Sequence, residues 1–179
     1  MASTAQALRH AFSSQTVLAL TSEQTPKSQE EAARVRDEAA VDLRPVKAWK
    51  LGATIAAVRA NLGLEQQFFG LLPAALVYQD GAEVGGFHAR LQGVESEYAF
   101  ELARDLSAED AEREDLTSLF SCVRPAIEIP GTRYASLGLY GGFGLVADCV
   151  YAVSGLSGGE LKPAPAIGSR WRADYVVGV

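Results

Sequence analysis

With 179 residues, 48% of them hydrophobic and 21% charged, the chain is long enough for one domain with its own core and has the balance of a globular protein. A net charge of −6, with the basic residues scattered, excludes a nucleic-acid surface, and no apolar run approaches the roughly 18–20 residues of a membrane span. Two cysteines, Cys122 and Cys149, form neither a disulfide framework nor a zinc site, which fits a reduced, cytoplasmic setting.

Leu8, Ala11 and Phe12 have helical spacing, so residues 1–24 read as carrying a short surface helix; their Ser, Thr and Arg content also resembles a weak organelle transit segment. Ser28 and Glu31 have the spacing of a capping box. They open a helix with Ala32, Val35 and Ala39 on one face, ending before Pro45. Val46-Lys47-Ala48-Trp49-Lys50-Leu51-Gly52 reads as a strand with Lys50 on the small-residue side, beside Ala48 and Gly52. That pattern suits a lysine in a pocket or a surface lysine at a strand edge. Thr54 is placed to cap a helix with Ile55, Val58 and Leu62 on one face, stopped by Gly63. Phe68-Phe69-Gly70-Leu71-Leu72 is too apolar for the surface, and residues 74–78 read as a strand closed by a turn at Asp80-Gly81. Residues 87–91 then lead into another strand.

That strand, Gly93 to about Leu102, alternates. Val94, Ser96, Tyr98 and Phe100 fall on one side; Glu95, Glu97 and Ala99 fall on the other. Two carboxylates roughly 6–7 Å apart at their bases share a face. Near a strand core a carboxylate without a partner costs several kcal/mol or takes a proton. A hard divalent cation held between the two, such as Mg2+, is the simplest resolution.

Ser107 and Asp110 open the clearest helical pattern, with Leu116, Leu119, Phe120 and Val123 at i, i+3, i+4 and i+7. The acids Glu109, Asp110, Glu112, Glu114 and Asp115 read as its solvated first turns. Residues 124–130 form a short strand between prolines in which Glu128 points opposite to Ile127 and Ile129, ordinarily the solvent side. Residues 137–144 read as a glycine-rich loop against a ligand or another backbone, and 147–154 as a last core strand. No clear period follows, and no linker divides the chain. Gly142-Phe143-Gly144-Leu145-Val146-Ala147 has the form G-x-G-x-x-A but no strand before it or helix after it. Gly155-Leu156-Ser157-Gly158-Gly159 has the form G-x-S-x-G, but His10 and His88 both precede it, whereas a nucleophile elbow needs a later histidine.

Ala48-Trp49-Lys50-Leu51-Gly52-Ala53-Thr54, Phe68-Phe69-Gly70, Val94-Glu95-Ser96-Glu97-Tyr98-Ala99-Phe100 with Arg104-Asp105-Leu106, Pro125-Ala126-Ile127-Glu128-Ile129 and Val146-Ala147-Asp148 follow one another in that order. From about residue 5 to 159 the series resembles the 2-keto-4-pentenoate hydratase and 4-oxalocrotonate decarboxylase branch of the fumarylacetoacetate hydrolase superfamily. The E-x-E strand together with P-A-I-E is its most specific part. The resemblance implies an α+β fold, a mixed β-roll of the fumarylacetoacetate hydrolase C-terminal-domain type with peripheral helices. It implies a single domain, with N-terminal helices in 1–45 and the metal-binding core in 46–179. It implies that Glu95, Glu97 and Glu128 carry Mg2+ or Mn2+, that Lys50 moves a proton or binds the substrate carboxylate, and that Phe69 and Gly70 bind substrate. The activity implied is hydration of a small 2-keto or 2-hydroxydienoate acid through a metal-stabilised enolate, in aromatic catabolism, by a homo-oligomer. Decarboxylation uses the same enolate and is the alternative; a shortened, non-catalytic partner subunit is the other.

The sequence departs from the family pattern in three places. Phe68 stands where many hydratases have an acid just before the F-G pair, so proton transfer there needs another group. No histidine matches the one the superfamily's C–C hydrolases use; His88 reads as a half-buried strand residue. Family members also continue with further strands, which residues 161–179 do not resemble, so the roll is expected to be shortened at its C-terminus.

Overall fold

Ser3 opens the first helix, α1 (Thr4–Ser14): its Oγ accepts the Gln6 N–H and the Gln6 carboxamide accepts the Ser3 N–H in return. The computed structural model describes residues 2–43, 45–79, 81–83, 93–136 and 138–148, with the backbone of 152–156 and 162–163. Helix α1 is not confined to the surface, because Ala5, Leu8 and Ala11 are buried. In α2 (Gln29–Ala39) Ser28 accepts the Glu31 N–H, as its spacing predicts. The Glu31 carboxylate, however, takes the N–H of Lys27 at 2.8 Å, so the cap reaches one residue further back.

Strand β1 (Val46–Gly52) pairs antiparallel with β2 (Phe68–Pro73), with Lys50 opposite Gly70 and Gly52 opposite Phe68. A Cβ on Gly52 would lie 2.5 Å from the Phe68 ring, so any larger residue would force the ring to shift. Between them lies α3 (Ala56–Leu62), ended by Gly63 in the left-handed region. The expected Thr54 cap is corrected: Ile55 holds the cap position and makes no side-chain cap bond. Arg59 instead ties down the Ala53 and Thr54 carbonyls at 2.8 and 2.7 Å. The apolar residues Ile55 and Val58 face outward.

After β2, Ala74–Leu76 form a 3-10 turn and only Val77–Gln79 extend, as β3. Strand β4 (Glu95–Leu102) follows the expected alternation and pairs antiparallel with β5 (Phe120–Pro130). The helix expected after Ser107 is overturned. Residues Ala108–Glu112 and Thr117–Leu119 are short 3-10 turns, and Phe120 and Val123 belong to β5. Asp115 accepts both the backbone N–H and the hydroxyl of Thr117, which breaks the helical run. From Phe120 onward the ladder offered by β4 wins over helical periodicity. Asp110 is also not solvated: it is buried and takes Arg104 at 2.7 Å through both oxygens.

The glycine-rich stretch is likewise a helix rather than a loop, α4 (Gly141–Ala147). A Cβ on Gly142 would lie 2.2 Å from the Leu62 carbonyl oxygen, so the glycine permits close packing. The last core strand begins later than expected, as β6 (Ala152–Leu156), followed by β7 (Lys162–Pro163). The sheet order is β3-β6-β5-β4, with β3 and β6 parallel and β7 also paired to β5. Asp80, the run 87–91 with His88, Cys149, and 161–179 apart from β7 lie outside the described residues.

One apolar core lies among the helices and the start of β2, including Leu8, Ala32, Phe68, Tyr134 and Val146. Beneath α4, Asp148 holds Arg133 by an Nε bond of 2.5 Å and also accepts the Thr132 hydroxyl and the Arg133 N–H. A second, smaller core joins the two sheets. Leu72 of β2 meets Ala99 and Ala126 of the β4–β5 pair, with Ala48 and Val77 at its edge.

Candidate metal centre

The β4–β5 register makes the site. Glu95 lies opposite Glu128 and Glu97 opposite Ala126, so all three carboxylates rise from one face of the hairpin. It is the inner face. Ala99, two residues beyond Glu97, and Ala126, two before Glu128, are buried in the core between the sheets. Tyr98 and Ile127, on the opposite face, are 47% and 45% exposed. Of the two positions open to Glu128, the ordinary solvent side and a buried place beside the other acids, it takes the second: it is 4% exposed and Ile127 is outside. Alanines under the acids matter, because larger side chains would fill the space in which the carboxylates meet.

One oxygen of each of Glu95, Glu97 and Glu128 lies within 4.8 Å of the others, graded from exposed Glu95 to buried Glu128. Lys50 approaches from the other sheet, its Nζ 2.7 Å from Glu128 Oε1. Its partners in the β1–β2 ladder explain the direction. Ala48, Lys50 and Gly52 share a face with Leu72, Gly70 and Phe68, the face that packs on Ala99 and Ala126. Of the two readings its pattern allowed, a surface lysine does not fit: its side chain is 13% exposed.

Crowding is visible in the proton affinities. Burial, then the charges of Glu128 and Glu95, push the Glu97 carboxyl up to about 7, with Lys50 opposing. Glu95 is raised by burial and by Glu128, again opposed by Lys50. Three hard oxygen donors that resist sharing one space unprotonated are a donor set that fits a hard divalent cation.

Gly70 stands beside Lys50, but the Phe69 side chain turns to the opposite face of the sheet. There it meets Trp49 edge-on at 5.7 Å and stacks under the Arg36 guanidinium at 4.2 Å. It lines a cavity of about 630 Å³ with Arg36, Gln29 and Phe143, and none of the carboxylates nor Lys50 borders that cavity. Sequence reading passed over Arg36, a buried cation whose Nη1 donates to the Phe69 carbonyl at 2.7 Å and so holds β2 in place. Its position on the α2 face with Ala32 and Ala39 was the available signal. Phe68 points to the Lys50 side and is buried over Gly52. The position before Phe69-Gly70 thus offers hydrocarbon and no proton donor.

No protein-family profile matches the chain. Among curated proteins, the TodF product hydratase of Pseudomonas putida F1 is 38% identical over 84 residues, 47% of this chain and 31% of that protein. The 2-keto-4-pentenoate hydratase of Burkholderia vietnamiensis G4 is 38% identical over 84 residues, 32% of its length. The 2-hydroxyhexa-2,4-dienoate hydratase of Comamonas testosteroni is 36% identical over 86 residues, 33% of its length. The matched stretch thus spans about a third of each of these relatives. Among solved structures, 4-oxalocrotonate decarboxylase from Pseudomonas putida G7, complexed with magnesium and adipate, aligns with a TM-score of 0.74 over 92% of this chain and 64% of that one, at 18% identity. The same enzyme complexed with calcium and acetate aligns with a TM-score of 0.73. The chain is similar in sequence to hydratases of the 2-keto-4-pentenoate branch and shares its fold with the decarboxylase of the same branch.

Proposed function

We propose that the chain is a divalent-metal-dependent lyase acting on a small 2-keto or 2-hydroxydienoate acid, with hydration as its reaction. The convergence of Glu95, Glu97 and Glu128 within 4.8 Å, with Lys50 at their buried end, carries this reading. Glu95, Glu97 and Glu128 would hold Mg2+ or Mn2+. The ion would supply Lewis acidity for the negative charge that develops on the substrate oxygen as a 2-keto acid enolises. Lys50 binds the substrate carboxylate or carries the proton between oxygen and carbon. Gly70, with no side chain, leaves the space beside Lys50 for the substrate; Phe69 contributes there only through its main chain. Ketonisation of the dienol followed by addition of water across the remaining double bond gives a 4-hydroxy-2-keto acid. Because Phe68 supplies no proton, Lys50 is the candidate for that transfer among the described residues.

Support comes from the hydratase relatives and from the solved decarboxylase, whose ligands are magnesium and a dicarboxylate. The latter favours decarboxylation as the second reading. We further read residues 1–179 as one domain, with helices in 1–45 and a β-roll core in 46–179, working as a cytoplasmic homo-oligomer.

Thermal unfolding with and without Mg2+ or Mn2+ tests the centre. Binding to the folded state should raise stability by about 2.7 kcal/mol at a hundredfold excess over the dissociation constant. Glu97→Ala should lose that rise, and no rise in the parent protein overturns the reading. Loss of dienoate absorbance without carbon dioxide release identifies hydration; carbon dioxide release identifies decarboxylation.

A further inference from the structure

Lys50 makes a bond that an ion at the carboxylate cluster would contest. It reaches across from β1, in a different sheet, and sets its ammonium 2.7 Å from Glu128 Oε1. Glu128 is the most buried of the three carboxylates, and its oxygen is among those converging within 4.8 Å. A divalent ion at that convergence would sit within a few ångströms of the ammonium and would claim the same carboxylate. Two positive charges at such a distance repel, and the buried Glu128 end of the cluster screens them less than open water would. The lysine stem has four rotatable bonds, so the ammonium can leave without moving the strand.

Resting on the proposed metal-centre reading, we propose that Lys50 is the resident counter-ion of the carboxylate cluster and yields Glu128 when a divalent ion enters. The buried Glu128 is then never left without a positive partner. In the metal-free protein Lys50 neutralises it; in the loaded protein the ion does, and the Lys50 Nζ is turned toward an incoming substrate carboxylate. A lysine bonded to Glu128 has one donor fewer for a substrate anion, so the exchange couples loading of the centre to readiness for substrate.

Calorimetric titration of Mg2+ into the parent protein, Lys50→Met and Glu97→Ala tests the exchange. Removing a competing unit charge at ion-pair distance should tighten Mg2+ binding in Lys50→Met by roughly tenfold or more. Equal or weaker binding than the parent overturns the exchange and leaves the metal centre standing. Absence of Mg2+ binding in all three proteins overturns both. Because Lys50→Met leaves Glu128 buried without its ammonium and can fold poorly, a second measurement uses the parent protein. Amine acylation, read by peptide mass spectrometry, should modify Lys50 several-fold faster with Mg2+ than without it, relative to exposed Lys47. An unchanged or slower rate overturns the proposal.

Discussion

Glu97 concentrates the electrostatic cost of the site. Its carboxyl titrates at about 7 in the folded chain, against an ordinary 4.5, because burial and the charges of Glu128 and Glu95 disfavour its ionised form. The folded state therefore holds this proton more tightly than the unfolded state. Metal-free protein should lose stability as pH rises from about 4.5 to 7, and Glu97→Gln, which has no proton to lose, should lose less across that window. Thermal melts at pH 5 and 7.5 check both. Metal must displace the same proton, so Mg2+ affinity should rise with pH to about 7 and then level off. Titrations in buffers of different ionisation enthalpy should find proton release below pH 7 and little above it. At Gly52 the constraint is steric. Gly52→Ala puts a Cβ into the buried Phe68 ring and should cost about 1–3 kcal/mol in urea unfolding, because the close-packed interior cannot yield.

At the scale of elements, the β4–β5 pair works as one functional unit. Its antiparallel register turns an E-x-E pattern and a distant glutamate into a three-carboxylate cluster, and a slip of one residue would move Glu95 and Glu97 to the outer face. The segment leading from β5 into α4 is pinned by a buried ion pair. Arg133 and Asp148 are 1% and 3% exposed, and Arg133 Nη1 also reaches the Leu8 carbonyl of α1. Asp148→Ala leaves that guanidinium buried and unpaired, so stability should fall by about 3–5 kcal/mol, measured by denaturant unfolding. The connection between β4 and β5 uses the same device nearer the surface. Asp110 accepts Arg104 and the Ser107 N–H, which hold its carboxyl well below the usual carboxylate range. Because that pKa is depressed, the stability it contributes is present above the ordinary carboxylate pKa and is lost as pH falls below it. Asp110→Asn should flatten this part of the acid-unfolding curve.

Across the whole molecule, two sheets meet at a thin core of alanines and one leucine, and helices bury a larger core beside them. The outer face of the β4–β5 pair stays apolar and exposed, with Val94 at 72%, Tyr98, Leu102 and Ile127. An apolar sheet face that no described residue covers favours association, which suits the homo-oligomer proposed above. Ile127→Glu should then shift the sedimentation coefficient toward the monomer without weakening Mg2+ binding, since Ile127 faces away from the carboxylates. An unchanged sedimentation profile would remove this face as the contact.

Strand alternation alone placed Glu95 and Glu97 on one face, and Lys50 with Ala48 and Gly52, because side-chain direction in a strand follows a period of two whatever lies around it. Capping chemistry is equally local, and Ser28 and Gly63 mark helix ends where the sequence puts them. Only tertiary structure decided which face was inside. Ala99 and Ala126 packed against Leu72, so the acids went in and the aromatic side faced out. Residues 107–123 carry a helical period and yet fold as 3-10 turns and strand for the same reason. A helical period of apolar residues carries less free energy than a full ladder with β4, and an Asp115–Thr117 turn interrupts it. Residues 137–144 read as a loop against a ligand or another backbone; the close backbone approach is there, Gly142 against the Leu62 carbonyl 80 residues away, but from Gly141 onward the chain is helical. The meeting of Lys50 with Glu128, 78 positions apart, depends on two sheets packing face to face, which no local pattern encodes.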